Sequence, residues 1–171
     1  GAARNKWQKI FQVKAKASIN GLVLAEEKAV ASVIEEGNFE IYVISLKTKQ
    51  ASRLRWPDKT YVTTLDTEGA GSEVRVEYES FLQPKQTYRL DLKTNKAVLL
   101  KADQAPSLDP KLYEVKSFFV TARDGALIPV TSVFKKGLKF DGSQPLLLQG
   151  YSSYGATYGA EYDPTIFSLL D

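Results

Sequence analysis

The sequence is 171 residues long, 43% hydrophobic and 25% charged, with 23 basic and 20 acidic residues and a net charge of +3. It has no Cys, no Met and no His, which excludes disulfides, thiolate chemistry, Cys/His zinc sites and a Ser-His-Asp triad completed within these residues. Basic residues are interspersed with acidic ones and no apolar run approaches the ~20 residues that span a bilayer, so neither nucleic acid nor membrane is an expected partner. No basic n-region and apolar h-region open the chain, so a cytoplasmic location is expected. The missing Met reads as a section of a longer protein, and no cofactor is expected.

Taken in order, the chain first reads as short strands. "FEIYVISL" (residues 39–46) is β-rich, with turn-like "EEGN" before it and "KTKQ" after it. "YVTTL" (61–65) follows. "EVRVEYES" (73–80) sets Val74, Val76 and Tyr78 against charged neighbours with period two, the pattern of a half-buried strand. "TYRLDL" (87–92) and "KAVLLK" (96–101) add strands of similar length.

These strands repeat. Laying "IYVISLKTKQASRL" (41–54) over "TYRLDLKTNKAVLL" (87–100) at an offset of 46 gives six identities in fourteen: Tyr42/Tyr88, Leu46/Leu92, Lys47/Lys93, Thr48/Thr94, Ala51/Ala97 and Leu54/Leu100. A period of this size in short antiparallel strands is that of a β-propeller blade, so residues from about 20 to 101 are expected to form two four-stranded sheets. Two blades do not close a ring that typically holds about 4–8. The blade edges are therefore expected to be covered by the remaining part of the same protein or by another chain. Glu26/Glu27 and Glu35/Glu36 are adjacent strand positions that cannot flank one glycosidic bond, and they are expected in solvated turns.

The texture then changes. "ADQAPSLDPKLYE" (102–114) carries Pro106 and Pro110 without periodicity and reads as a linker, assigned to 106–113. "VKSFFVTA" (115–122) and "ALIPVTSVF" (126–134) flank Asp124 and Gly125, a strong hairpin signal. "PLLLQG" (145–150) suits a strand buried on both faces of a parallel sheet. The next residues, "GYSSYG" (150–155), approximate the G-x-S-x-G elbow but place Tyr154 where its final Gly belongs. Tyr42, Tyr78, Tyr88 and Phe119 sit at alternating strand positions and are expected in the core and between sheets. Tyr151, Tyr154, Tyr158 and Tyr162 instead follow the apolar run, where a sheet's carboxyl edge places ligands.

Four stretches in this order, "YESFLQPKQTYRLDL" (78–92), "VTARDGALIPV" (120–130), "QPLLLQGYSSYG" (144–155) and "YDPTIFSLLD" (162–171), resemble the prolyl oligopeptidase family, most closely its oligopeptidase B branch. The resemblance implies a seven-bladed propeller capping an α/β-hydrolase domain, with a short peptide substrate held between them and cleaved after Arg or Lys. The nucleophilic serine, the acid and the histidine would all lie outside these residues, and this section alone would be inactive. Aligned on the family pattern, Tyr151 matches a tyrosine whose hydroxyl donates to the developing oxyanion. Tyr154 matches an aromatic lining the pocket for the residue before the scissile bond. Gln149 stands where the pattern has Tyr, and Ser152 where it has Gly. The expected fold is thus mainly β: partial propeller blades over 1–105, the linker, and the opening strands of an α/β-hydrolase domain over 114–171. A non-catalytic propeller scaffold or binding module is the alternative; a later G-x-S-x-G, Asp and His in the complete sequence would separate the two.

Overall fold

The computed structural model describes residues 6–56, 62–66, 71–105, 109–151, 153–154 and 158–171; Tyr61, Pro106, Ser152 and Gly155, named above, lie outside them. Sheet 1 contains β1 (Ser18–Ala25), β2 (Lys28–Glu35), β3 (Asn38–Ser45) and β4 (Ala51–Leu54), antiparallel and in chain order. Sheet 2 repeats that arrangement with β5 (Val62–Asp66), β6 (Glu73–Ser80), β7 (Gln83–Asp91) and β8 (Lys96–Ala102). A two-stranded ribbon, β9 (Tyr113–Thr121) with β10 (Leu127–Lys135), and a short helix, α1 (Pro164–Leu170), complete the described chain. Among the described residues no helix falls between 39 and 101, and none is long and apolar enough to cross a membrane.

The repeat extends from sequence into turn geometry. Ser45 Oγ accepts the Thr48 N–H at 3.1 Å, and 46 residues later Asp91 Oδ1 accepts the Thr94 N–H at 3.3 Å. Lys49 and Asn95 both adopt the left-handed conformation, with φ of 60° and 55°. Leu46 N–H donates to Glu27 O at 2.8 Å, and Leu92 N–H to Ser72 O at 2.9 Å. The offset is therefore 46 over the third strand and its turn, and 45 where the second strand begins. Glu26, Glu27 and Glu36 fall in hairpin turns as expected, whereas Glu35 ends β2 with its side chain 13% exposed and bonded to Lys14 and Tyr42. Glu36 and Gly37, at φ 53° and 80°, turn β2 into β3 with the two positive φ values a type I′ turn needs.

Alternation decides which face is buried. Val30, Ile41 and Val43 of sheet 1 pack against Val74, Val76, Leu90 and Leu92 near the sheet 2 strands, all but dry. Trp56 closes this core, stacked on Tyr78 at 5.0 Å and edge-on to Tyr88 at 4.8 Å. The other face of sheet 1 buries Ala29, Ala31, Val33 and Ile44 under Phe11, Val13 and Ala17 of the N-terminal segment. β1 begins at Ser18, close to the expected start near 20, and a register shift between Ile19 and Gly21 interrupts its alternation.

Two expectations are corrected. Phe119 is 48% exposed on the ribbon, not packed in a core. Residues 145–149 form no strand, and Leu146 and Leu148 are 82% and 79% exposed. A strand of a parallel sheet takes its hydrogen bonds from neighbours on both sides, and the described residues supply none to this stretch.

Leu90→Ala should lower stability by about 2–5 kcal/mol in chemical denaturation, the cost of a cavity at a fully buried site; a loss below about 1 kcal/mol would contradict this packing. Glu40 on β3 is buried and paired with Arg53 of β4, and burial raises its carboxyl above the ordinary range more than Arg53 lowers it. The folded state therefore holds this proton more tightly than the unfolded chain, so its contribution is full at acid pH and fades as pH rises through the raised value. Glu40→Gln should gain stability relative to the parent between about pH 4 and 7; a constant difference across that range would contradict it.

Candidate active-site loop

The loop of interest hangs between an unanchored start and a fixed end. Its start is the exposed run 145–149. Its end is a small joint in which Phe167 of α1 sits edge-on to Tyr113 at 4.9 Å and 5.9 Å from Tyr162. Tyr113 and Phe167 are buried, as is Ala160. Asp163 caps α1 by accepting the Thr165 N–H at 2.9 Å and its hydroxyl at 2.6 Å, with Pro164 next, a start signal legible in "DPT". At the other end of α1, Asp171 accepts from Lys135 Nζ at 2.9 Å and Tyr113 Oη at 2.8 Å, which hold its carboxyl below the ordinary range.

Two contacts seat this part on the sheets, and neither was signalled by the sequence. Tyr162 N–H donates to Glu79 Oε2 of β6 at 3.3 Å. In the β2–β3 turn, a Cβ added at Gly37 would meet Pro129 of β10 at 3.4 Å. Glycine serves there twice, for its positive φ and for the close approach. Both contacts join residues far apart in sequence, which is why no local pattern announces them.

The loop itself carries Tyr151, 52% exposed, and Tyr154, 99% exposed. Tyr154 adopts φ 56°, a left-handed conformation uncommon for a non-glycine residue. Among the described residues the two tyrosines share the loop and are both exposed. A shallow depression of about 440 Å3 lies elsewhere, lined by Lys135, Lys136, Lys139 and Asp141 among others. An elbow serine needs a strand before it and a helix directly after it. Here 145–150 is unpaired and α1 begins only at Pro164. Chemically the loop offers neutral O–H donors, and the chain has no imidazole or thiol to act as a base or nucleophile beside them.

Comparison with known proteins gives this arrangement a context. The model of the prolyl oligopeptidase N-terminal β-propeller domain matches residues 1–103. Protease 2 of Moraxella lacunata is 30% identical over 148 residues, covering 85% of this chain and 21% of that protein. Dipeptidyl aminopeptidase BI of Pseudoxanthomonas mexicana is 37% identical over 99 residues, covering 57% and 14%. A prolyl endopeptidase structure studied for inter-domain dynamics superposes with a TM-score of 0.89 at 26% identity, over 99% of this chain and 25% of its own. Oligopeptidase B of Trypanosoma brucei, at 20% identity over 95% of this chain and 24% of its own, shares the fold with a TM-score of 0.82. The chain spans about a fifth or less of the length of these two curated relatives.

The isolated 171 residues should therefore turn over no peptide substrate and should self-associate, because the ribbon exposes Phe118, Phe119, Val120, Leu127 and Ile128 beside the bare leucine run. Amide hydrolysis by the rigorously purified chain, or a stable monomer in sedimentation, would contradict this.

Proposed function

This chain belongs to the prolyl oligopeptidase family, and we propose that it is the junction between propeller and catalytic domain in a serine-type oligopeptidase. In this reading residues 1–105 are propeller, 106–113 the linker, and 114–171 the opening of an α/β-hydrolase domain. The two sheets are neighbouring blades. The nucleophile, acid and histidine come from the rest of the enzyme, which also covers the exposed ribbon. The substrate is a short peptide, and similarity to the oligopeptidase B branch favours cleavage after Arg or Lys.

The observation that carries this reading is where the architecture changes. The propeller match ends at residue 103, one residue after β8 closes sheet 2. A ribbon and an apolar run follow whose exposed side chains call for neighbours that the described residues do not supply. Such a run, ending in a loop of hydroxyl donors, fits an early strand of an α/β-hydrolase sheet and the loop that supplies the second oxyanion donor. Tyr151 is that donor: a phenol offers a directed O–H and remains neutral at pH 7. Tyr154, fully exposed on the same loop, lines the pocket for the residue before the scissile bond.

In the full-length enzyme Tyr151→Phe should lower kcat/KM by about 10²–10³ with little change in stability, the usual effect of losing one oxyanion donor. An unchanged kcat/KM would reject the role of Tyr151, and loss of activity on Ser152→Ala with Tyr151→Phe silent would favour a serine nucleophile in this loop.

A further inference from the structure

One departure from the repeat falls where sheet 2 meets the tyrosine loop. β2 and β6 are both eight residues long and run at an offset of 45, so Glu79 occupies the position of Ile34. Ile34 packs beside Phe39 and Tyr78, and the β2–β3 register runs past it unbroken from Lys28/Ser45 to Glu35/Asn38. In sheet 2 the register breaks at this place. Tyr78 faces Gln86 and Ser80 faces Gln83, so Glu79 alone stands opposite both Pro84 and Lys85. Pro84 has no N–H to give to the ladder. A bulge of this kind bends the strand pair and re-aims side chains, and bulges recur beside active sites.

At the bulge the two carboxylates of β6 take different partners. Lys85 Nζ reaches Glu77 at 2.9 Å, and Glu79 Oε2 accepts the Tyr162 backbone N–H at 3.3 Å, a partly buried bond between residues 83 apart in sequence. Glu79 lies inside the propeller match, which ends at residue 103, and Tyr162 lies in the segment after it. Tyr162 is held twice, by its N–H on sheet 2 and by its ring, 5.9 Å from Phe167 of α1. Asp163 caps α1 directly after it, so the loop ends here. At the loop's start, residues 145–149 have no strand partner among the described residues.

We propose that Glu79 is the positioning residue through which the propeller sets the tyrosine loop: its carboxylate fixes the loop's end at Tyr162 and so holds Tyr151 in place to donate to the oxyanion. The inference rests on the role proposed for Tyr151 above. The physical need is precision. A reacting group has to be held within about 0.5 Å of its productive geometry by its supporting bonds, and a misplacement of about 1 Å costs up to about 10²-fold in rate. In the proposed enzyme an early strand fixes the loop's start. A loop tied at that end alone keeps conformational freedom that a second tie removes. A carboxylate suits the second tie, because an ionised acceptor makes a stronger bond to a backbone N–H than a neutral one.

The test combines kinetics, amide exchange and a double-mutant cycle on the full-length enzyme. Glu79→Ala should lower kcat about tenfold with KM within about twofold, and should speed exchange of the Tyr162 amide about tenfold. Glu79→Ser, too short to reach Tyr162, should repeat that result. Glu79→Gln keeps a side-chain oxygen as acceptor and should stay within about threefold of the parent in both readouts. In a Tyr151→Phe background Glu79→Ala should cost less than about twofold, because both changes act on one donor. Full additivity of the two changes, or an unchanged kcat for Glu79→Ala while Tyr151→Phe is impaired, would overturn the positioning role and leave that of Tyr151 standing. Equal losses for Glu79→Ala and Glu79→Gln that track a fall in Tm would overturn it in favour of a structural role. A silent Tyr151→Phe would overturn the reading of the loop itself, and the positioning role with it.

Discussion

The apolar contact between the two four-stranded sheets is the constraint from which the remaining geometry follows. Val30, Ile41 and Val43 meet Val74, Val76, Leu90 and Leu92 with almost no exposure. Fully burying each such side chain contributes about 1.5–3 kcal/mol, whereas the exposed ion pairs on the same strands, such as Lys85 with Glu77, contribute about 0–1 kcal/mol each. Hydrophobic burial therefore holds the sheets together, and charge decides how they are distinguished. Because side chains alternate along a strand, fixing one face of β6 and β7 against sheet 1 also turns Glu73, Arg75, Glu77 and Glu79 outward.

That contact also places the chain ends of the second strands where the downstream part can rest on them. The β2–β3 turn brings Gly37 against Pro129, and the end of β6 brings Glu79 to the Tyr162 N–H. Downstream of residue 103, burial concentrates at the joint of Tyr113 and Phe167, at Ala160 and, on the other face of the ribbon, at Phe134, while the leucine run and the ribbon tip stand in solvent. The described chain thus divides into a packed pair of sheets and a segment that touches them at Pro129 and Tyr162 and is exposed elsewhere. In the proposed enzyme, the tyrosine loop belongs to the unfinished part, so its chemistry waits on the rest of the protein.

Much of the fold was legible because it is written locally. Period-two alternation in 73–80, the turn residues at Glu36 and Gly37, and the Asp124/Gly125 hairpin each act within a few residues, and the 46-residue repeat fixed the four-stranded unit. β1 carried no pattern of its own, since a register shift between Ile19 and Gly21 interrupts its alternation. Non-local features escaped. The apolar run 145–149 reads as a strand, but a strand is a relation with neighbours, and the described residues supply none. Phe119 alternates correctly on β9 and still faces water for the same reason. The candidate site was legible as a list of tyrosines but not as a geometry, because in the proposed enzyme the groups it converges on come from the rest of the protein.

The account stands most directly on where Tyr151 sits when the enzyme is complete. A crystal structure of the full-length protein bearing a covalent serine-directed inhibitor would decide it. The adduct is expected on a serine outside these residues, with the Tyr151 hydroxyl about 2.7–3.1 Å from the adduct's oxyanion. An adduct on Ser152 or Ser153, or a Tyr151 hydroxyl turned away from the oxyanion, would contradict it.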